Sequence, residues 1–209
     1  MRHIFVTAAL NAAVLLGAAP LFAQSEVSTT TFQLRPNPSF LACISDGSGI
    51  APTVTATVTR ALQNDVLTLT AHHFKPLLAF DMFTVQNSNL RSDGTPDPAF
   101  SNFGMAWYQS DVQVGPKGNA STTIQTILLD QIFGFDPAVS LPPTNTFHVG
   151  IWFNNPNDAK ACGFTGFTPF NGEHKAGPVA FITVPNAQTN LGPLCTSPNW
   201  GTNPVSCNP

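Results

Sequence analysis

Apolar and polar residues alternate one for one along much of this chain, a period of two that marks β-strands with one buried face. The clearest instance spans residues 53–60, where Val54, Ala56 and Val58 share one side and Thr53, Thr55, Thr57 and Thr59 the other. Gln63-Asn64-Asp65 supplies a turn, and residues 66–72 return with Leu67 and Leu69 inward, so the pair reads as a hairpin. The Thr-rich residues 25–34 read as a first, edge strand, broken by Pro36-Asn37-Pro38. Beyond the Lys75-Pro76 corner come strands over 79–85, 105–114, 120–129, 147–153 and 178–184. Residues 115–119 carry the Gly, Pro and Asn of a hairpin turn. Residues 130–135 fit one helical turn, and 86–102 and 154–177 form long loops. Outside the N-terminus no stripe of 3.6-residue period competes.

That pattern predicts an all-β, antiparallel β-sandwich of about seven to nine short strands. It carries long loops and an irregular C-terminal tail over 186–209.

The N-terminus follows a different logic. Met1, Arg2 and His3 make a short basic start, residues 4–16 are apolar apart from Thr7 and Asn11, and Gly17 and Pro20 precede Leu21-Phe22-Ala23. This is the order of a secretory signal peptide over 1–23. The apolar run is shorter than the roughly 20 residues a bilayer-spanning helix needs. No Cys follows it, so no lipid anchor is expected. Cleavage leaves an N-terminal segment over 24–51, a sandwich domain over 52–185 and the tail, exported to the periplasm or beyond, with no transmembrane segment.

Charge changes the picture by its scarcity. Only 9% of residues are charged and the net charge is −3, against a usual share of about 25%. Thr, Ser, Asn and Gln must therefore supply the polar surface. Nucleic acid, which needs a basic footprint, is excluded as a partner, and an unspecified extracellular ligand or protein is expected instead. Four cysteines, Cys43, Cys162, Cys195 and Cys207, follow the leader. An even count in an exported chain reads as a disulfide framework with three possible pairings. The pairing Cys43–Cys162 and Cys195–Cys207 is favoured, because the second closes a short loop in a Pro- and Asn-rich tail with little else to hold it.

Several features fit a known pattern. A strand ending in the Lys75-Pro76 corner leads to the aromatic strand 79–85, and the Gly118-Asn119 turn opens a Thr-rich strand. In these respects residues 52–184 resemble secreted bacterial immunoglobulin-like or fibronectin-type-III-like modules, which implies two stacked antiparallel sheets. The chain departs from the immunoglobulin pattern in lacking its Cys–Trp–Cys core.

Candidate chemistry is sparse. No G-x-S-x-G, H-E-x-x-H or phosphate-cradling Gly loop occurs, so no catalytic residue and no cofactor are assigned. Asp81, Asp111 and Glu173 are the acids from which a glycosidase pair would be drawn, with strand acids expected on the solvent face. His72 and His73, being adjacent, point to opposite faces of a strand. His148 alternates with the core face Phe147, Val149, Ile151 and Phe153, which places His148, Gly150 and Trp152 on the outer side. The oxygen-rich turns at 93–97 and 154–158 are ordinary turn formers, not EF-hand loops. Phe164, Phe167 and Phe170 lie at three-residue spacing in a loop expected to fold down as a second small core. The ligand-binding candidates are Trp107, Tyr108, His148, Trp152, Glu173 and His174; no metal ligands are assigned. The composite expectation is a non-catalytic secreted binding or structural module. A carbohydrate-binding or carbohydrate-active protein using surface aromatics is the alternative, and an exported metal-binding protein centred on His148 a further one.

Overall fold

The computed structural model describes residues 28–61, 64–126, 128, 147–170 and 174–208. Residues 1–23, expected to be a signal peptide, and the predicted helical turn over 130–135 lie outside the described residues. The strands are β1 (Thr29–Pro36), β2 (Thr53–Thr59), β3 (Asp65–His72), β4 (Ala79–Val85), β5 (Ala106–Gln113), β6 (Ala120–Thr126), β7 (His148–Phe153), β8 (Thr168–Phe170), β9 (His174–Ala176), β10 (Val179–Ile182), β11 (Pro198–Asn199) and β12 (Ser206–Cys207). Eight of them form one antiparallel sheet in the order β5-β4-β7-β10-β1-β2-β3-β6, and β8-β9 and β11-β12 are small separate ladders.

The fold is all-β as the alternation predicts, but the sheet is nearly barrel-like rather than a plain pair of stacked sheets. The predicted edge strand is the reason. β1 is interior: Thr29–Leu34 pairs with β2, and its last two residues, Arg35 and Pro36, pair with β10. A strand that changes neighbours part way is how a sheet turns a corner. Pro36, which has no N–H to give, sits at the strand's last position. Among the described residues the two sheet ends then approach each other without a ladder. Thr126 Oγ1 donates to Gln109 Oε1 at 2.7 Å and Thr122 Oγ1 to the Asp111 carbonyl at 3.4 Å.

The β2–β3 hairpin forms as read, with Val54, Ala56, Val58, Leu67 and Leu69 at most 2% exposed in the main core. Phe74, Phe80, Phe153 and Phe181 fill its centre in ring-to-ring contacts of 5.2–5.5 Å. The β5–β6 turn closes on Gly118 at φ +75, where a Cβ would sit 2.4 Å from the Phe74 carbonyl oxygen, so only glycine fits. Both favoured disulfides, Cys43–Cys162 and Cys195–Cys207, are formed. They fit an oxidising compartment. Among the described residues no helix is long and apolar enough to cross a membrane.

The described parts of the long loops carry local structure of their own. The 154–177 segment opens with a 3-10 helix over Pro156–Cys162, capped by Asn155, and sends Phe164 against Phe40 at 6.2 Å. Phe167 stays 49% exposed, 4.3 Å under the Lys175 ammonium, so of these two described Phe side chains Phe164 packs on the main core and Phe167 does not. A second core exists elsewhere: Phe83, Val85, Leu90, Trp152, Val179 and Ile182, with Phe103 packed against it, lie on the outer face of β4, β7 and β10. The loop between β4 and β5 covers them.

Candidate functional site

The covering loop is built by its own polar side chains. Asp93 accepts from the backbone and hydroxyl of Thr95 at 2.9 and 2.7 Å, and Asp97 accepts from the Ala99 N–H at 3.0 Å. The acidic turn at 93–97 thus spends one oxygen of each carboxylate on the loop itself. Asn102 Oδ1 accepts from Gly104 N–H at 2.9 Å, and Gln86 Oε1 from Met105 N–H at 2.7 Å. Phe103 anchors the loop on Trp152 at 5.1 Å, with Phe100 behind it at 4.7 Å. Asn89 Oδ1 is buried with no hydrogen-bond partner among the described residues.

Antiparallel pairing brings the end of β4, the start of β7 and the end of β10 to one place, with Val85 opposite His148 and Gly150 opposite Ile182. Here the loop leaves a pocket of about 260 Å³, lined by Gln86, Asn87, Ser88, Asp97, Phe100, Ser101, Asn102, His148 and Asn190 among others. Among the described residues no Lys or Arg lines it. Asn190 carries φ +60, a left-handed conformation that asparagine tolerates better than most residues.

His148 sits at this pocket only 2% exposed. Its Nδ1 lies 3.0 Å from Thr183 Oγ1, which also accepts from the Val149 N–H at 3.2 Å. Burial pushes its pKa down to about 4, against the opposing hydrogen bond to Thr183, so the ring is neutral at pH 7.

The other candidates are dispersed. Trp152 is 1% exposed. It is not an outward platform, because the β4–β5 loop buries the face that alternation assigned to solvent; the same cover encloses His148. Trp107 and Tyr108 stand 48% and 40% exposed on β5. Tyr108 packs edge-on against Phe83 at 5.5 Å and donates to Asp111 Oδ1 at 2.8 Å. Partial burial, that bond and the charges of Asp111 and Asp81 push its pKa up to about 12. Glu173 lies outside the described residues, and His174 opens β9 opposite Phe170.

Asp81 is fully buried, not on a solvent face as expected of a strand acid, and accepts from Asn154 Nδ2 at 2.8 Å. It stands opposite Asp111 and Trp152 in register. Its burial closes this acid pair to a substrate. His72 faces Asn119 Oδ1 at 3.0 Å and His73 faces Asp46 at 3.5 Å. Among the described residues no group of three or more His, Cys, Asp or Glu could hold a metal ion.

Sequence reading named His148 but not its pocket neighbours, which all come from loops. The available signal was the length of the polar 86–102 segment, since long loops in compact domains are commonly functional. Set against known proteins, the chain finds no match among protein families, characterised proteins or solved structures.

Proposed function

We propose that this chain is an exported, non-catalytic binding module that holds a small ligand in the loop-built pocket at His148. The observation that carries this reading is the pocket itself: a polar hollow whose walls are fixed by internal hydrogen bonds and an aromatic anchor. Preorganised walls of this kind lower the ordering cost of binding. Export is supported by the signal-like order of residues 1–23 and by the two disulfides. In this reading residues 52–185 are an immunoglobulin-like sandwich drawn toward a barrel by the shared strand β1, between an N-terminal segment and a tail.

The test is a saturation-transfer NMR screen of a small-molecule library against the disulfide-bonded chain, run beside chromogenic glycosides, esters and phosphoesters. Library hits whose contacts vanish in Asn190→Gly, with no turnover of any chromogen, are the expected result. Turnover would make the protein an enzyme, and a library without hits would remove the pocket as a ligand site.

A second reading has one observation in its favour: Trp107 and Tyr108 each remain exposed on β5, and an exposed aromatic ring is what sugar stacking requires. Binding lost in Trp107→Ala but kept in Asn190→Gly would select it.

A further inference from the structure

Resting on the pocket as the ligand site, we infer that it takes one neutral, hydroxyl-rich ring, a single sugar unit. The bonding capacity left over by the fold defines the ligand. Ser88 is spent: its hydroxyl donates to the Thr183 carbonyl at 2.8 Å and accepts from Leu90 N–H at 3.2 Å. Gln86 has given its Oε1 to Met105, and Asn87 its Nδ2 to the Asn102 carbonyl at 3.2 Å. The Gln86 amino group and the Asn87 carbonyl therefore remain without a partner among the described residues. So do the Ser101 O–H, the second carboxylate oxygen of Asp97 and the carboxamide of Asn190.

This set mixes donors and acceptors in similar number. A ligand hydroxyl, which both donates and accepts, is the group that satisfies such a mixture wherever it lands. An anion finds no Lys or Arg among the described residues of the walls, and His148 is neutral there. A cation finds one carboxylate, whose Oδ1 already faces the Arg91 guanidinium at 3.8 Å. Phe100 adds the apolar face on which the C–H side of a sugar ring stacks. The volume, about 260 Å³, lies just under the roughly 300–1,000 Å³ of drug-sized sites, which suits one ring and not a chain.

The experiment is saturation-transfer NMR of the disulfide-bonded chain with glucose, galactose, mannose and N-acetylglucosamine, alongside glucuronate and glucosamine as charged analogues. At least one neutral sugar should bind and both charged analogues bind more weakly. Asn190→Gly, which removes the carboxamide while keeping the left-handed backbone, should weaken the neutral sugar about tenfold, the scale of one or two lost hydrogen bonds. Ser101→Ala, at an exposed position, is the second variant and should weaken it by about threefold. Trp107→Ala should change nothing. Binding of glucosamine or glucuronate alone, sensitive to Asn190→Gly, overturns the sugar assignment and leaves the pocket standing. No binding by any of the six, with library hits still mapping to the pocket, does the same. Neutral-sugar binding abolished by Trp107→Ala but not by Asn190→Gly overturns the pocket as the sugar site, and silence from both panels removes pocket and sugar together.

Discussion

On β7, Gly150 and Trp152 stand two residues apart on the outer face, and a Cβ on Gly150 would lie 2.6 Å from the Trp152 ring. The missing side chain is the notch in which the indole lies, between Phe83 and Phe103. Overpacking that notch in Gly150→Ala should cost about 1–3 kcal/mol, and emptying it in Trp152→Ala about 3–5 kcal/mol. Urea unfolding measures both; a Trp152→Ala cost below 1 kcal/mol would mean that the indole is not a core residue. His148 makes a prediction of a different kind. It titrates near 6.5 when unfolded and near 4 when folded. Between those values the unfolded chain binds the proton and the folded chain does not, so stability falls as pH drops through this window. The loss reaches about 3 kcal/mol by pH 4. Urea midpoints at pH 7 and pH 4.5 should therefore converge in His148→Gln relative to the parent protein. An unchanged pH slope in that variant would refute the buried, neutral assignment.

Among the elements, β2 and β3 were legible because each shows one face to the core and the other to water, the condition under which alternation reports burial. β7 was not. Val149, Ile151 and Phe153 alternate with His148, Gly150 and Trp152, yet all six of its residues are buried, because the β4–β5 loop lies across the second face. Nothing in the local pattern of 148–153 distinguishes a solvent face from one covered by a loop about 50 residues earlier in the chain. Trp152 and His148 were misplaced together for that single reason, and the pocket beneath the loop stayed invisible with them. The loop's own attachment gives the prediction at this scale. Phe103 is its aromatic anchor, so Phe103→Ala should cost about 2–4 kcal/mol. It should also release amide protection first over 86–105, ahead of β4 and β7. Uniform loss of protection across the sheet would mean that the loop and the sheet unfold as one unit.

For the whole molecule, an all-β antiparallel architecture was legible and the curl toward a barrel was not, since closure depends on where β1 changes partners and on the side-chain seam between β5 and β6. A side-chain tie holds the C-terminal tail to this sheet. Arg60, at the end of β2, bonds Asp65 at 2.6 Å and the carbonyls of Leu128 and Leu194, which pins the tail just before Cys195. The two disulfides act at different ranges. Cys43 and Cys162 are 119 residues apart, and Cys195 and Cys207 only 12. Loop-closure entropy in the unfolded chain then assigns about 5 kcal/mol to the first and about 3 kcal/mol to the second. A domain's whole stability is about 5–15 kcal/mol, so Cys43→Ala/Cys162→Ala should leave a marginal protein. Cys195→Ala/Cys207→Ala should remain folded, because Arg60 still holds the tail at Leu194. Urea unfolding of the two double variants ranks them directly. A short helix spans Leu41–Ile44 and carries Cys43; if removing the tail disulfide proves the costlier change, the fold depends on its tail more than on the bridge from this helix to Cys162, and the entropic ranking fails.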